Sequence, residues 1–433
     1  MICASAISAA DLLRVLTLQD YGTRITVIGV ALLGLAGGVV GTFLLLRKRA
    51  LLGDALAHAT YPGICLAFML AFAVTGVGKS LPWLLAGAAA SGLTGLGCLI
   101  LVRRYSRIKE DAALGLVLGV FFGAGVVLND FLLTGEMGEA SGVMAFLEGN
   151  PAALLLRDAW LIFGILLVCL LACALFYKEL RLLCFDADYA AAQGWPVLLL
   201  DVLLMGLVTL VVISGLQAVG LILVIAILVI PPAAARFWTQ RLGPTVVLSA
   251  LIGAVSGLAG AVVSAMATRW PAGASIVLAA AGVFVVSMIF GADRGALVRW
   301  NRRLRLSRQV ADDNLLRSVY EQSESTGGSG RVTFEQLLKV RSWSRRLLRR
   351  TVRRAVRQGL ARSDAEGVEL TEQGLAEARR VVRNHRLWEM YMITHADVAA
   401  SHVDRSADLI EHVLGADLVA KLEEQLTLLT PNS

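Results

Sequence analysis

The sequence predicts an all-α polytopic membrane domain of about nine transmembrane helices, followed by a smaller cytoplasmic α+β domain. Three observations carry the prediction. The 433 residues are 57% hydrophobic and only 17% charged, whereas soluble chains average roughly 45–50% apolar and about 25% charged residues. The apolar residues are unevenly spread: 25–291 is a series of apolar runs with short polar breaks, and 292–433 reads as ordinary soluble protein. Within the first part the breaks alternate between basic and non-basic, as repeated crossing of a bilayer requires.

A helix needs about 20 mostly apolar residues to cross the hydrocarbon core. Candidate spans fall at 25–46, 53–75, 81–102, 112–133, 154–177, 197–213, 216–235, 244–267 and 273–291. The sixth and seventh are short and are read as sharing a break at Ser214-Gly215. Gly34, Gly37, Gly38 and Gly41 give the first span small residues that let helices approach closely in lipid. Residues 1–24 form an amphipathic lead-in without the basic start, apolar stretch and cleavage site of a removable signal. Six cysteines, at 3, 65, 98, 169, 173 and 184, have no CxxC spacing, which implies neither a disulfide framework nor a zinc ribbon.

The basic breaks hold Arg47-Lys48-Arg49, Arg103-Arg104 with Arg107 and Lys109, Lys178 with Arg181, and Arg236 with Arg241. The alternate breaks hold only Lys79 and Arg269, and 134–153 carries Glu136, Glu139 and Glu148 instead. The positive-inside rule then places the N-terminus outside a bacterial inner membrane and residues 292–433 in the cytoplasm.

Ionisable residues at membrane depth usually mark function. Asp54 and His58 in the second span are four apart, hence on one helix face and able to share a ligand. His58 lies eleven residues past Arg47, about 16 Å along a continuous helix. Pro62 has no N–H, so the His58 carbonyl loses its usual donor and can line a cavity as a further oxygen ligand. Carboxylate, imidazole and carbonyl together suit manganese, iron or zinc without separating them. Cys65 is a candidate addition on the same face that would tilt the choice towards zinc. The bland alternative is a helix-capping aspartate beside a packing histidine.

The segment from Leu44 through Arg47-Lys48-Arg49-Ala50-Leu51-Leu52-Gly53-Asp54-Ala55-Leu56-Ala57-His58-Ala59 resembles the signature of the ABC-3 family of manganese, zinc and iron transporter permeases. Ala57 stands where serine is commoner. Gly220-Leu221-Ile222-Leu223 through Ile230-Pro231-Pro232-Ala233-Ala234-Ala235 resembles a second characteristic stretch of that family, and the likeness covers most of 20–300. It implies an importer with a partner ABC ATPase, a second permease copy or paralogue as a dimer, and an extracytoplasmic metal-binding protein. It also implies that Asp54 and His58 line the metal path, with the divalent metal as substrate and no permanently bound cofactor.

The inside loop from Lys178 to Gly194 resembles the family's ATPase-coupling segment, with Phe185, Asp186, Ala190 and Gly194 as its marked positions. Asp186 is placed to cap a short helix over 187–193. No Walker A pattern occurs in the chain, so hydrolysis falls to the partner and the chain is not itself an enzyme.

In the tail, 292–311 is a basic linker suited to anionic headgroups. Helices are expected near 312–322, 333–340 and 344–359, a wing at 360–370, and helices near 371–392 and 405–414. Helix, helix, basic helix and two-stranded wing is the winged helix-turn-helix order, here over 312–370. From Arg341 to Arg362 there are nine arginines and no acid. Ser344 is the expected N-cap of the basic helix. Arg345, Arg346, Arg349, Arg350 and Arg353 are candidates for holding DNA phosphates; a membrane surface or the ATPase is the alternative partner.

Thr371-Glu372-Gln373-Gly374, Asn384 to Glu389 and Asp408 to His412 resemble iron- and manganese-dependent repressors of the diphtheria-toxin-repressor type. The likeness implies a metal-binding and dimerisation region over 371–433, with His385, Glu389, Asp408, Glu411 and His412 as ligands and the metal as effector. Asn314 and Arg317 occupy the first-helix ligand positions, and a guanidinium holds no cation. Asp408 replaces a usual glutamate or cysteine. Two functions from different classes fit these readings. One is a metal-importer permease with a regulatory tail; the other is a membrane-tethered, metal-responsive DNA-binding regulator.

Overall fold

The first apolar run becomes helix α1 (Tyr21–Leu46), buried along most of its length. The computed structural model describes residues 21–76, 81–134, 154–266, 271–325, 330–340 and 343–395. It divides into two units, Met1–Val298 and Arg299–Ser433. In the first unit α1 is followed by α2 (Ala50–Ala59), α3 (Tyr61–Thr75), α4 (Leu81–Tyr105), α5 (Glu110–Thr134) and α6 (Leu156–Leu175). Then come α7 (Tyr177–Phe185), α8 (Ala187–Ala192), α9 (Val197–Val219), α10 (Leu221–Ala235), α11 (Leu242–Met266) and α12 (Ala272–Phe290). Among the described residues, eight helical segments are long and apolar enough to cross a membrane, with α2 and α3 together as one, and α10 is a shorter apolar helix.

Close packing of α1 against α11 and α10 forms the middle of this unit. A methyl group on Gly34 would run into the backbone of Gly253, and one on Gly38 into the backbone of Ser249. Ser249 Oγ donates to the Gly38 carbonyl at 2.8 Å, and so does Thr42 Oγ1 at 2.8 Å. Backbone approach and an interhelical bond such as that from Ser249 hold helices together in lipid, where the hydrophobic effect does not discriminate.

Two breaks differ from expectation. The second span is interrupted at Thr60, between α2 and α3, with Pro62 in the first turn of the new helix. Its missing N–H is harmless there. The break between α9 and α10 falls at Gly220, with φ of 86°, and not at Ser214-Gly215, which lie inside α9. Only glycine takes a positive φ without strain, whereas Gly215 packs directly on Val224.

The second unit begins within α13 (Ala296–Ser325), so most of the expected linker is helix. It continues through β1 (Arg331–Thr333), α14 (Phe334–Val340), α15 (Arg345–Arg357), β2 (Ala361–Ser363), β3 (Gly367–Leu370) and α16 (Glu372–His395). The sheet order is β1-β3-β2, antiparallel, with Val332 opposite Val368 and Ala361 opposite Leu370. The two-stranded wing expected at 360–370 is present as β2 and β3, and β1, too short to leave a pattern, adds a third strand beside β3. Leu315, Val319, Leu337, Leu348, Val352 and Val368 meet in its core. The lead-in before Tyr21, the break over 135–153 and the helix expected near 405–414 lie outside the described residues.

Candidate metal path and its surroundings

Asp54 and His58 share one face of α2, and His58 Nε2 lies 3.4 Å from Asp54 Oδ1. Their side chains are 31% and 20% exposed, so the pair sits in a half-open position. The imidazole stands edge-on to Phe122 of α5 at 4.9 Å between ring centroids, and Tyr61 leans on the same ring. Around the break, Thr60 Oγ1 donates to the Ala57 carbonyl at 2.7 Å and Ser91 Oγ to the Ala59 carbonyl at 2.6 Å. Cys65 does not join the pair: it is fully buried and its Sγ contacts the Gly125 carbonyl at 3.7 Å. Among the described residues, no cluster of three or more His, Cys, Asp or Glu side chains is arranged to hold a metal. One copy of the chain thus offers a carboxylate and an imidazole with an open side for further ligands.

Asp201 was not singled out from the sequence. This residue of α9 is 5% exposed and sits between two arginines of the α1–α2 elbow. Arg47 Nη2 donates to its Oδ1 at 3.0 Å and its Oδ2 at 3.2 Å. Arg49, 4% exposed, donates from Nη2 to Oδ2 at 3.1 Å, and its Nη1 lies 3.0 Å from Oδ1. Arg47 Nη1 also donates to the Leu183 carbonyl of α7 at 3.0 Å. A lone acid at the start of an apolar run was the signal available for it.

The coupling-like segment folds as expected around Asp186, whose Oδ1 accepts the Tyr189 N–H at 2.9 Å and caps α8. Gly194 closes the turn with φ of 83°. Phe185, Tyr189 and Trp195 are exposed, while Ala190 is fully buried and packs inward. Burial raises the Cys184 thiol to about 12, which keeps it protonated and unreactive.

In the second unit Ser344 Oγ accepts the Leu347 N–H at 3.2 Å and caps α15. Arg345, Arg346, Arg349, Arg350 and Arg353 are exposed, opposite a buried face of Leu348, Thr351, Val352 and Ala355. His385, on α16, is only 2% exposed. Arg317 is buried and bonds Glu321 at 2.7 Å. The side chain of Glu389, and Asp408, Glu411 and His412 entirely, lie outside the described residues.

Comparison with known proteins matches residues 19–291 to the ABC 3 transport family. Residues 371–430 match the iron dependent repressor, metal binding and dimerisation domain. The chain is 38% identical over 391 residues to the manganese transport system membrane protein MntC of Bacillus subtilis, covering 90% of this chain and 88% of that one. It is 43% identical over 289 residues to the zinc transport system membrane protein TroC of Treponema pallidum, covering 67% of this chain and 95% of that one. Among solved structures, PsaBC from Streptococcus pneumoniae in complex with Fab is similar at a TM-score of 0.57 and 30% identity. That match covers 66% of this chain and 98% of the other.

Proposed function

The chain belongs to the ABC-3 transport family and joins its multi-pass permease to a C-terminal repressor-type domain; from that premise we propose that it imports divalent metal ions. The ion is manganese, zinc or iron, and it passes Asp54 and His58 on its way to the cytoplasm. The observation that carries this reading is the carboxylate–imidazole pair at 3.4 Å with one side open. Hard-to-borderline divalent cations favour such oxygen and nitrogen donors, and a second copy or paralogue of the permease supplies the remaining ligands. The names of MntC and TroC, a manganese and a zinc transport membrane protein, support the same substrate class.

Energy comes from a separate ABC ATPase seated on α8 and on the exposed Phe185, Tyr189 and Trp195 in and around it. An extracytoplasmic binding protein delivers the ion to the outer face of the inner membrane, and the C-terminal unit lies in the cytoplasm. The exposed Leu297, Trp300 and Leu304 of α13, flanked by Arg299, Arg302 and Arg303, suit the anionic inner surface. In the tail, His385, Glu389, Asp408, Glu411 and His412 are the residues through which metal acts as effector.

Elemental analysis of cells lacking their own importers tests the main reading. Cells given this chain with its ATPase and binding protein should gain one of the three metals, and Asp54→Ala or His58→Ala should abolish the gain with membrane insertion intact. Unchanged uptake in the variants removes the site. The exposed arginine face of α15 favours a second reading, a membrane-tethered metal-responsive DNA-binding regulator. Under it, each arginine replaced should weaken duplex binding for all sequences and lower the salt slope by about 1; no duplex binding at low salt ends that reading.

A further inference from the structure

The elbow between α1 and α2 contains more than a turn requires. Lys48 N–H donates to the Leu45 carbonyl at 3.0 Å and Arg49 N–H to the Leu44 carbonyl at 3.1 Å. That is the bonding of a Schellman motif, which needs one left-handed residue, and Lys48 supplies it with φ of 58°. The reversal leaves Lys48 exposed and turns its two neighbours onto Asp201.

Four elements meet at this cluster. Arg47 follows α1, and Arg49 is the N-cap residue of α2, the helix that carries Asp54 and His58. Asp201 belongs to α9, and the Leu183 carbonyl lies at the end of α7, three residues before the cap of α8. Two guanidiniums face one acid, so a positive charge remains. The carbonyl end of α7 meets it, since the last carbonyls of a helix lack internal donors and carry partial negative charge. Arg47 is therefore shared: one nitrogen holds the acid, the other holds the end of α7.

Stability alone does not explain such a construction, because apolar residues of similar volume usually serve a buried core as well as an ion pair does. Charge-assisted bonds add direction: they fix the geometry of the groups they join. From Arg49 the α2 backbone runs without interruption to His58, nine residues on, or about 13 Å of rise. A shift at the end of α7 has a short, polar-bonded route to both metal-facing side chains.

We propose that the Arg47–Arg49–Asp201 cluster is the joint through which displacement of the α7–α8 turn reaches Asp54 and His58. It makes Arg47, Arg49 and Asp201 positioning residues for transport, and it rests on the permease reading above.

The test is the full permease with its ATPase and metal-binding protein in proteoliposomes, with manganese, zinc and iron uptake and ATP hydrolysis measured on one sample. Arg47→Lys keeps a charge beside Asp201, but a single ammonium does not span both Asp201 and the Leu183 carbonyl as the guanidinium fork does. Hydrolysis is expected to stay near the wild-type rate while ions moved per ATP fall at least about fivefold, the lower end of a usual coupling free energy. Asp201→Asn should uncouple further. Wild-type ratios in both variants overturn the joint. So does failure of both to assemble with the ATPase, or a parallel fall of uptake and hydrolysis, since each makes the cluster only structural. A wild-type complex that hydrolyses ATP but moves no manganese, zinc or iron sinks the permease reading instead, and this proposal with it.

Discussion

Two arginine-rich stretches of the chain look alike in sequence and fold in opposite ways. In Arg47-Lys48-Arg49 both arginines turn inward onto a buried acid. In α15 six arginines stay in solvent, and among the described residues none of Arg345, Arg346, Arg349, Arg350, Arg353 and Arg357 has an acidic partner. Only Arg354 turns in, to Asp312 at 2.8 Å. Density of charge does not decide between the two outcomes. A carboxylate from elsewhere in the chain does: Asp201 is 154 residues from Arg47 and Asp312 is 42 from Arg354. Where the chain provides the acid, the arginines set internal geometry; where it provides none, they face whatever lies outside.

Removing the acid should show the largest difference between the two stretches. Asp201→Ala leaves two guanidiniums buried without their counter-charge, and uncompensated buried charges typically cost about 3–5 kcal/mol. Arg349→Ala, in solvent and away from the core, should stay within about 0.5 kcal/mol. Thermal denaturation of the purified chain in detergent compares them. Equal midpoints for the two variants would mean that the elbow arginines are as solvated as those of α15.

A smaller effect separates the helix from its charges. Ser344→Ala removes the acceptor for the Leu347 N–H and should cost the second unit about 1 kcal/mol. The arginines of α15 then remain exposed while their scaffold loosens, which limited proteolysis of the full chain reads as faster cleavage near the wing. Unchanged cleavage would show that packing of Leu348 and Val352, not the cap, fixes the start of α15.

What could be read in advance was local. Asp54 with His58, Asp186 with α8 and Ser344 with α15 each lie within four residues on one element, so spacing alone places them. The features that escaped depend on distant partners or on elements too short to carry a period. Asp201 is an acid in an apolar run whose meaning appears only beside Arg47 and Arg49. The break at Gly220 was assigned to Ser214-Gly215 because apolar residues flank both glycines, and only the backbone angle tells them apart. β1 has three residues, shorter than any alternation. The basic linker became part of α13: Leu297, Trp300 and Leu304 do recur at helical spacing there, but so short a period is masked by the arginines among them.

The smallest expected effect concerns an acid of the opposite kind, held in solvent by the backbone. Asp364 stands between β2 and β3, where its Oδ1 accepts the N–H of Gly367 at 3.0 Å and that of Glu366 at 3.0 Å, and Oδ2 pairs with Arg331. The backbone bonds from Gly367 and then Glu366, with Arg331 adding to them, hold its carboxyl below the ordinary 3.8. A carboxyl lowered in the folded state stabilises that state above its unfolded value and loses the contribution as pH falls through the folded one. Amide exchange of β2 and β3 in the full chain should therefore show protection that drops in wild type below about pH 4. Asp364→Asn should start from lower protection and approach the wild type in acid. Curves that coincide at every pH would mean the wing is held by its apolar pairs, Val332 with Val368 and Ala361 with Leu370, and that its exposed acid contributes nothing.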